Sequence, residues 1–120
     1  MLINFSNHPS EFWPEAQLNA SRELGELLDM PFPIVDPECD ESYIEALANE
    51  CCAEILKTFE AHQATERAVH VMGEPTLVFE IVIRLKQEGI TCLASTTTRE
   101  AVEDNGVKTS KFTFSRFRRY

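Results

Sequence analysis

Short apolar runs alternate along the chain with longer segments in which apolar residues recur every three or four positions. The runs are four to five residues long and are bounded by polar or turn-forming residues, which is typical of buried strands. They lie at residues 2–5, 26–30, 68–72 and 90–94. The pattern therefore predicts four strands separated by helical segments.

Each of the three intervening segments carries helix start and stop signals. Proline suits a first helical turn, Asp40 is a favourable N-cap with Tyr43 three residues on, and glycine commonly ends a helix. The predicted bounds are Pro14 to Gly25, Asp40 to about His62, and Pro75 to Gly89. The last helix is apolar on most of its circumference, which indicates deep burial or an interface.

The C-terminal part of the chain predicts a hairpin. Asp104-Asn105-Gly106 is a strong turn signal between residues 99–103 and 107–117. Strands that alternate with helices pair in parallel. We therefore expect one α/β domain over residues 1–120, a Rossmann-like three-layer fold with a mostly parallel sheet and a C-terminal β-hairpin.

The charge distribution limits the partners of this domain. The formal net charge is −9, yet residues 108–120 contain five basic residues and no acidic ones. An acidic body argues against binding of long duplex nucleic acid, because that surface needs clustered cations. A small anionic ligand held by backbone N–H groups remains compatible with it.

Targeting and metal-binding signals are absent from the sequence. No charged segment with a following apolar run marks a signal peptide, and no stretch approaches the length of a membrane span. The four cysteines form no C-x-x-C pair, so we expect reduced, buried thiols rather than zinc ligands. These features predict a cytoplasmic protein with no membrane partner, metal or cofactor.

Polar residues follow three of the predicted strands, at the edge where parallel α/β sheets bind ligands. Such residues are also common in turns for conformational reasons alone. The candidate binding residues are Ser6, Asn7, Ser10, Gly73, Glu74, Thr76, Ser95 and Thr97, and the candidate catalytic residues are His8, Thr96 and Arg99.

Each candidate rests on its chemistry. Free N–H groups after Gly73 are suited to a phosphate, although Glu74 would repel one unless it binds a ribose hydroxyl or accepts a proton. Hydroxyls beside Arg99 suit phosphate oxygens, but β-propensity alone also explains them. His8 can transfer protons near neutral pH, whereas His62 and His70 are expected to be structural. No P-loop or dinucleotide fingerprint is present.

Residues 111–117 alternate between phenylalanine and polar or basic side chains. Two interpretations fit this pattern. Basic and aromatic residues together can bind nucleic acid. A final strand with one buried face has the same alternation, and we expect this second arrangement.

The order of elements, the Met72-Gly73-Glu74-Pro75-Thr76 turn, the 95–99 segment and the basic hairpin together resemble the CRISPR-associated Rossmann fold (CARF). More narrowly, the chain is similar to small stand-alone proteins of type III CRISPR systems. The resemblance implies a homodimer that binds cyclic oligoadenylate across its axis. Some of these stand-alone proteins are ring nucleases, which open this ring without metal through attack of a ribose 2′-hydroxyl on the neighbouring phosphate, and this activity is the leading hypothesis for the chain.

Within this resemblance the candidate residues take distinct roles. Ser95, Thr96 and Arg99 would lie near the scissile phosphate, His8 would be an acid or base, and the others would bind the ligand. The absence of a fused effector domain favours removal of the signal. Two alternatives remain: a non-catalytic module that senses or sequesters the same nucleotide, and a protein-interaction domain that docks through the apolar helix at residues 77–85.

Overall fold

The computed structural model describes residues 1–120 as one five-stranded sheet with helices on both faces. The strands are β1 (Leu2–Ser6), β2 (Leu27–Pro31), β3 (Ala68–Met72), β4 (Thr91–Asp104) and β5 (Val107–Arg119). Their order across the sheet is β2-β1-β3-β4-β5, with parallel pairing everywhere except the antiparallel β4–β5 pair. The predicted α/β class with a C-terminal hairpin is confirmed.

Three helices and one 3-10 turn connect the parallel strands. They are the 3-10 turn Ser10–Phe12, α1 (Glu15–Arg22), α2 (Glu41–Ala61) and α3 (Pro75–Gln87). The predicted N-cap of α2 is confirmed, since Asp40 Oδ1 accepts from the Tyr43 backbone N–H at 3.2 Å. Pro75 opens α3 as expected, because its missing N–H costs nothing in a first turn.

The two faces of the sheet are covered unequally. Helices α2 and α3 pack on each other and on one face, where they bury the main apolar core. That face presents Ile3, Phe5, Val69 and Val71, all nearly inaccessible to water. The opposite face carries only α1 and the 3-10 turn, and its apolar cluster is small. The α1 face of the sheet therefore accommodates polar side chains.

Strand β1 lies at the topological switch point of the sheet. The connection from β1 leads outward to β2, whereas the next connection leads back across β1 to β3. The connections that follow β1 and β3 thus lead in opposite directions from the carboxyl edge. Ligands of open parallel sheets bind in this position.

Strand β4 does not end where the sequence pattern indicated. The sequence pattern ends this strand at Ala94 and places a polar segment after it at residues 95–99, but β4 continues through that segment to Asp104. With β5 it forms a two-stranded arm, residues 97–115, that extends beyond the sheet. The Cα radius of gyration is 16.0 Å, against roughly 13.6 Å for a compact chain of this length. Continuous cross-strand pairing, with one irregularity at Thr96/Thr97, overrides the local loop signal.

The prediction that one face of the last strand is buried is wrong for most of the length of β5. Phe112 is 64% exposed, and only Phe114 and Phe117 are half-buried. The arm has no helix against it, so nothing covers its outer part. In α3, Phe79 and Ile83 are also exposed, while the remaining large apolar residues of that helix pack inward.

All four cysteines are free thiols. Cys51, Cys52 and Cys92 are buried as expected, whereas Cys39 is exposed. Burial raises the pKa of each buried thiol to about 11, so these three stay protonated. None of the helices combines the length and hydropathy needed to cross a bilayer.

Gly73 has a packing role in this fold. A Cβ at this position would lie 2.6 Å from the buried Phe32 ring. Gly73→Ala should therefore destabilise the protein by about 1–3 kcal/mol, through overpacking. Urea unfolding of the single variants and the double variant measures the effect. The cost of Gly73→Ala should shrink in a Phe32→Leu background, and an unchanged cost would refute this assignment.

Candidate functional site

A row of polar side chains crosses the α1 face of the sheet. Asp29 on β2 is the register partner of Asn4 on β1, and Asn4 is the register partner of His70 on β3. Ser95 on β4 extends the row towards the carboxyl edge. Asn4 and His70 are only 1% exposed, yet no buried side-chain nitrogen or oxygen lacks a hydrogen-bond partner.

The partners of Asn4 fix the orientation of its amide. Asn4 Nδ2 lies 2.8 Å from the His8 carbonyl oxygen and 2.8 Å from Asp29 Oδ1. Both partners accept hydrogen bonds, so the amide must present its NH2 group to them. Asn4 Oδ1 then faces His70, and it also accepts a hydrogen bond from Ser6 Oγ at 2.7 Å.

This orientation determines the tautomer of His70. His70 Nδ1 lies 2.8 Å from Asn4 Oδ1, which can only accept, so Nδ1 carries the proton. Burial, and to a smaller extent the nearby His8, lower the pKa of His70 to about 4. A neutral ring protonated at Nδ1 has a lone pair at Nε2. Ser95 Oγ lies 2.6 Å from this atom and donates its proton to it.

Two aromatic rings enclose the imidazole. Trp13 packs edge-on against His70 with ring centroids 5.3 Å apart, and Phe117 packs against it at 5.5 Å. Trp13 is held in place by a hydrogen bond from its Nε1 to the His8 carbonyl at 2.9 Å. These contacts exclude water from the ring. The hydrogen bond to the half-buried Ser95 then connects the ring to the protein surface.

The four residues form the arrangement used to activate hydroxyl groups. A serine hydroxyl donates to a neutral histidine, and a second side chain orients the histidine through its other nitrogen. We call Asp29, Asn4, His70 and Ser95 the polar relay. Ser95 is half-buried, and its Oγ lies at the carboxyl edge beside Met72 Sδ at 3.2 Å.

The β1 loop contributes two predicted site residues to this network. Ser6 bonds to Asn4, and Ser10 donates its backbone N–H and its hydroxyl to the Asp29 carboxylate. Asn7 and His8 are exposed. His8 contributes through its carbonyl oxygen, which accepts from Asn4 and Trp13, whereas its imidazole has no hydrogen-bond partner.

The β3 loop is arranged differently from the expected phosphate cradle. The Glu74 carboxylate accepts from the backbone N–H groups of Thr76 and Leu77, and from the Thr76 hydroxyl at 2.6 Å. These bonds lower the pKa of Glu74. The chain's own carboxylate thus occupies the place at the α3 N-terminus where we expected a ligand anion, and Gly73 lies against Phe32.

The remaining candidate residues lie on β4, at increasing distance from the polar relay. Thr96 Oγ1 bonds to the backbone of Arg116 at the strand irregularity. Thr97 and Arg99 are exposed, and the Arg99 guanidinium contacts Ser110 Oγ across the arm at 3.0 Å. Arg99 is four residues beyond Ser95, about 13 Å along a strand, so the structure does not bring it to His70.

Comparison with known proteins places the chain in a family. The Uncharacterized protein MJ1673 family matches residues 1–118. The chain belongs to this family. No curated protein and no solved structure matches it significantly. In this family member, no cluster of three or more histidine, cysteine or acidic side chains could hold a metal ion.

Sequence reasoning missed three residues of the polar relay. The sequence pattern predicts a structural role for His70 and does not select Asn4 or Asp29 as candidates. The available signal was a polar residue in the middle of an otherwise apolar run, at Asn4 in β1 and at His70 in β3. Buried polar groups need partners, so two such residues on neighbouring strands indicate a shared network.

The lowered pKa of His70 predicts a pH-dependent stability. Below pH 6.5 the unfolded chain binds a proton that the folded chain excludes down to about pH 4. Stability should therefore fall as the pH drops through this window, by at most about 3 kcal/mol from this group.

Urea unfolding between pH 7 and pH 4.5 measures this effect. His70→Gln should remove this part of the slope, whereas His8→Ala should retain most of it. The same slope in the His70→Gln protein as in the wild type would contradict the assignment.

Proposed function

We propose that this protein binds cyclic oligoadenylate and opens the ring without a metal ion, which would down-regulate type III CRISPR signalling in the cytoplasm. The observation that carries the proposal is the 2.6 Å contact between Ser95 Oγ and the neutral His70 Nε2 at the carboxyl edge. The resemblance to CARF proteins supplies the ligand class, and the homodimer is part of the same proposal.

The polar relay offers a balanced proton path for ring opening. A ribose 2′-hydroxyl gives its proton to Ser95 Oγ as Ser95 passes its own proton to His70 Nε2. The 2′-oxygen bonds to phosphorus and the 5′-oxygen departs, taking a proton from solvent or from His70. The products are a 2′,3′-cyclic phosphate and a 5′-hydroxyl. Asn4 Oδ1 stabilises the transient imidazolium through the Nδ1 proton.

The space beside the polar relay suits a nucleotide. A groove of about 820 Å³ lies between α1 and β5 and shares Phe117 with the wall of the imidazole site. This volume is in the range of small-molecule sites. Its lining includes Arg116, Arg118 and Arg119 together with the carboxylate of Glu23 but no member of the polar relay, so it would hold parts of the ring that do not react.

A non-catalytic binding module is the second candidate. No lysine or arginine occurs in residues 6–10 or 73–76, the loops nearest Ser95. Charge developing on a phosphate at this edge would therefore have few cations to stabilise it. Sequestration of the ring needs binding alone and is compatible with this lack of cations.

Incubation with cyclic tetra- and hexa-adenylate in EDTA tests the proposal. The wild type should release linear products that end in a 2′,3′-cyclic phosphate, identified by mass spectrometry. Ser95→Ala and His70→Gln should each slow cleavage roughly 10²-fold or more, with little change in affinity. His8→Ala should cleave normally, because its imidazole lies outside the hydrogen-bonded network.

The outcomes separate the candidates. Binding without turnover would select the sequestering module. If the protein neither binds nor cleaves either ring, the proposed function fails, and docking of a protein on the exposed Phe79 and Ile83 of α3 becomes the better account. A phosphate retained covalently on Ser95 would instead make Ser95 the nucleophile and refute attack by the 2′-hydroxyl.

A further inference from the structure

The arm presents one face on which aromatic, hydroxyl and cationic side chains form a continuous row. Alternation along β4 places Ser95, Thr97 and Arg99 on the same face, and the register pairs them with Phe117, Phe114 and Phe112. We call this the aromatic face of the arm. It begins at the polar relay and extends outward along both strands.

The aromatic row becomes more exposed with distance from the sheet. Trp13 contacts Phe117 at 6.0 Å between ring centroids, and Phe117 contacts Phe114 at 5.1 Å. Phe112 follows two positions from Phe114, about 7 Å away along the strand, and it is 64% exposed. An exposed ring beside half-buried ones is a stacking surface without a partner in this chain.

Cations are concentrated on the arm and on the strand ends that join it to the sheet. Residues 96–120 hold six of the 11 lysines and arginines but only three of the 20 acids. The structure contains two ion pairs, Arg22–Glu15 and Arg84–Glu80, and neither involves these six cations. On the aromatic face, Arg99 bonds only to Ser110, and the one carboxylate present, Glu103, is opposite Lys108.

We propose that the aromatic face of the arm binds a short single-stranded nucleic acid. Bases would stack on Phe112 and Phe114, and phosphates would contact Arg99. Stacking platforms combined with cations are the usual means of holding single strands without sequence preference. The acidic remainder of the chain would keep the bound segment short and would exclude a duplex.

A second copy of the chain is the competing occupant, and the surface favours it less. The exposed apolar residues of the arm are divided between its faces, with Phe112 on one and Val102 and Val107 on the other. Neither face offers the contiguous apolar core that a stable dimer interface contains. A narrow row of rings with Arg99 beside it and no carboxylate opposite that arginine suits bases and phosphates better.

Fluorescence anisotropy with 5′-labelled hexa-adenylate RNA and the full-length protein tests this inference. Saturable binding by the wild type should weaken about tenfold or more in Phe112→Ala and recover in Phe112→Trp. Arg99→Ala should weaken binding and reduce its salt dependence by about one phosphate contact. Val102→Ala, a matched exposed substitution on the opposite face, should bind like the wild type.

Other outcomes would overturn the inference. These are no saturable binding by the wild type, equal binding of a duplex of the same length, or an equal loss in Val102→Ala. Sedimentation velocity on the same variants tests for a second copy. A lower mass for Phe112→Ala than for the wild type would assign the face to a second copy. Saturable binding of the linear RNA by a wild-type protein that neither binds nor cleaves the cyclic rings would leave this inference standing, so the two proposals can fail separately.

Discussion

The buried imidazole of His70, hydrogen-bonded on both sides, is the interaction on which this site depends. A neutral histidine in an apolar environment needs a donor for one nitrogen and an acceptor for the other, or it costs roughly 1–3 kcal/mol per unsatisfied group. Asn4 Oδ1 and Ser95 Oγ meet both needs at 2.8 Å and 2.6 Å. Each partner belongs to a different strand, so the pairing links the centre of the sheet to its carboxyl edge.

This constraint explains why the two faces of the sheet differ. The core on the α2 and α3 face is filled with aliphatic and aromatic groups and cysteine thiols. The α1 face has less apolar packing and instead contains an ordered row of hydrogen bonds. Trp13 and Phe117 cover the His70 ring in this row. Removing one member leaves the others unpaired in a dry environment, so the polar relay is lost as a unit.

The fold could be predicted from the sequence because local signals agreed with the global arrangement. The Asp40 N-cap, Pro75 at a first turn and the short apolar runs each carry their own physical cause. The polar relay could not be predicted, because its members are 66 and 25 residues apart in the pairs His70–Asn4 and His70–Ser95. Only strand order and register bring them together. The expected position of Arg99 beside Ser95 is wrong for a related reason. Pairing in the hairpin extends β4 through a segment whose composition is typical of a loop, and this carries Arg99 away from the sheet.

The tautomer and charge of His70 are the most direct test of this account. Long-range 15N–1H correlation spectra of the uniformly labelled protein at pH 7 distinguish a protonated ring nitrogen from an unprotonated one. The account predicts a neutral ring with the proton on Nδ1, and no titration of this histidine until the pH approaches 4. A ring protonated at Nε2, or an imidazolium at pH 6, would contradict the orientation of Asn4 and with it the route from His70 to Ser95.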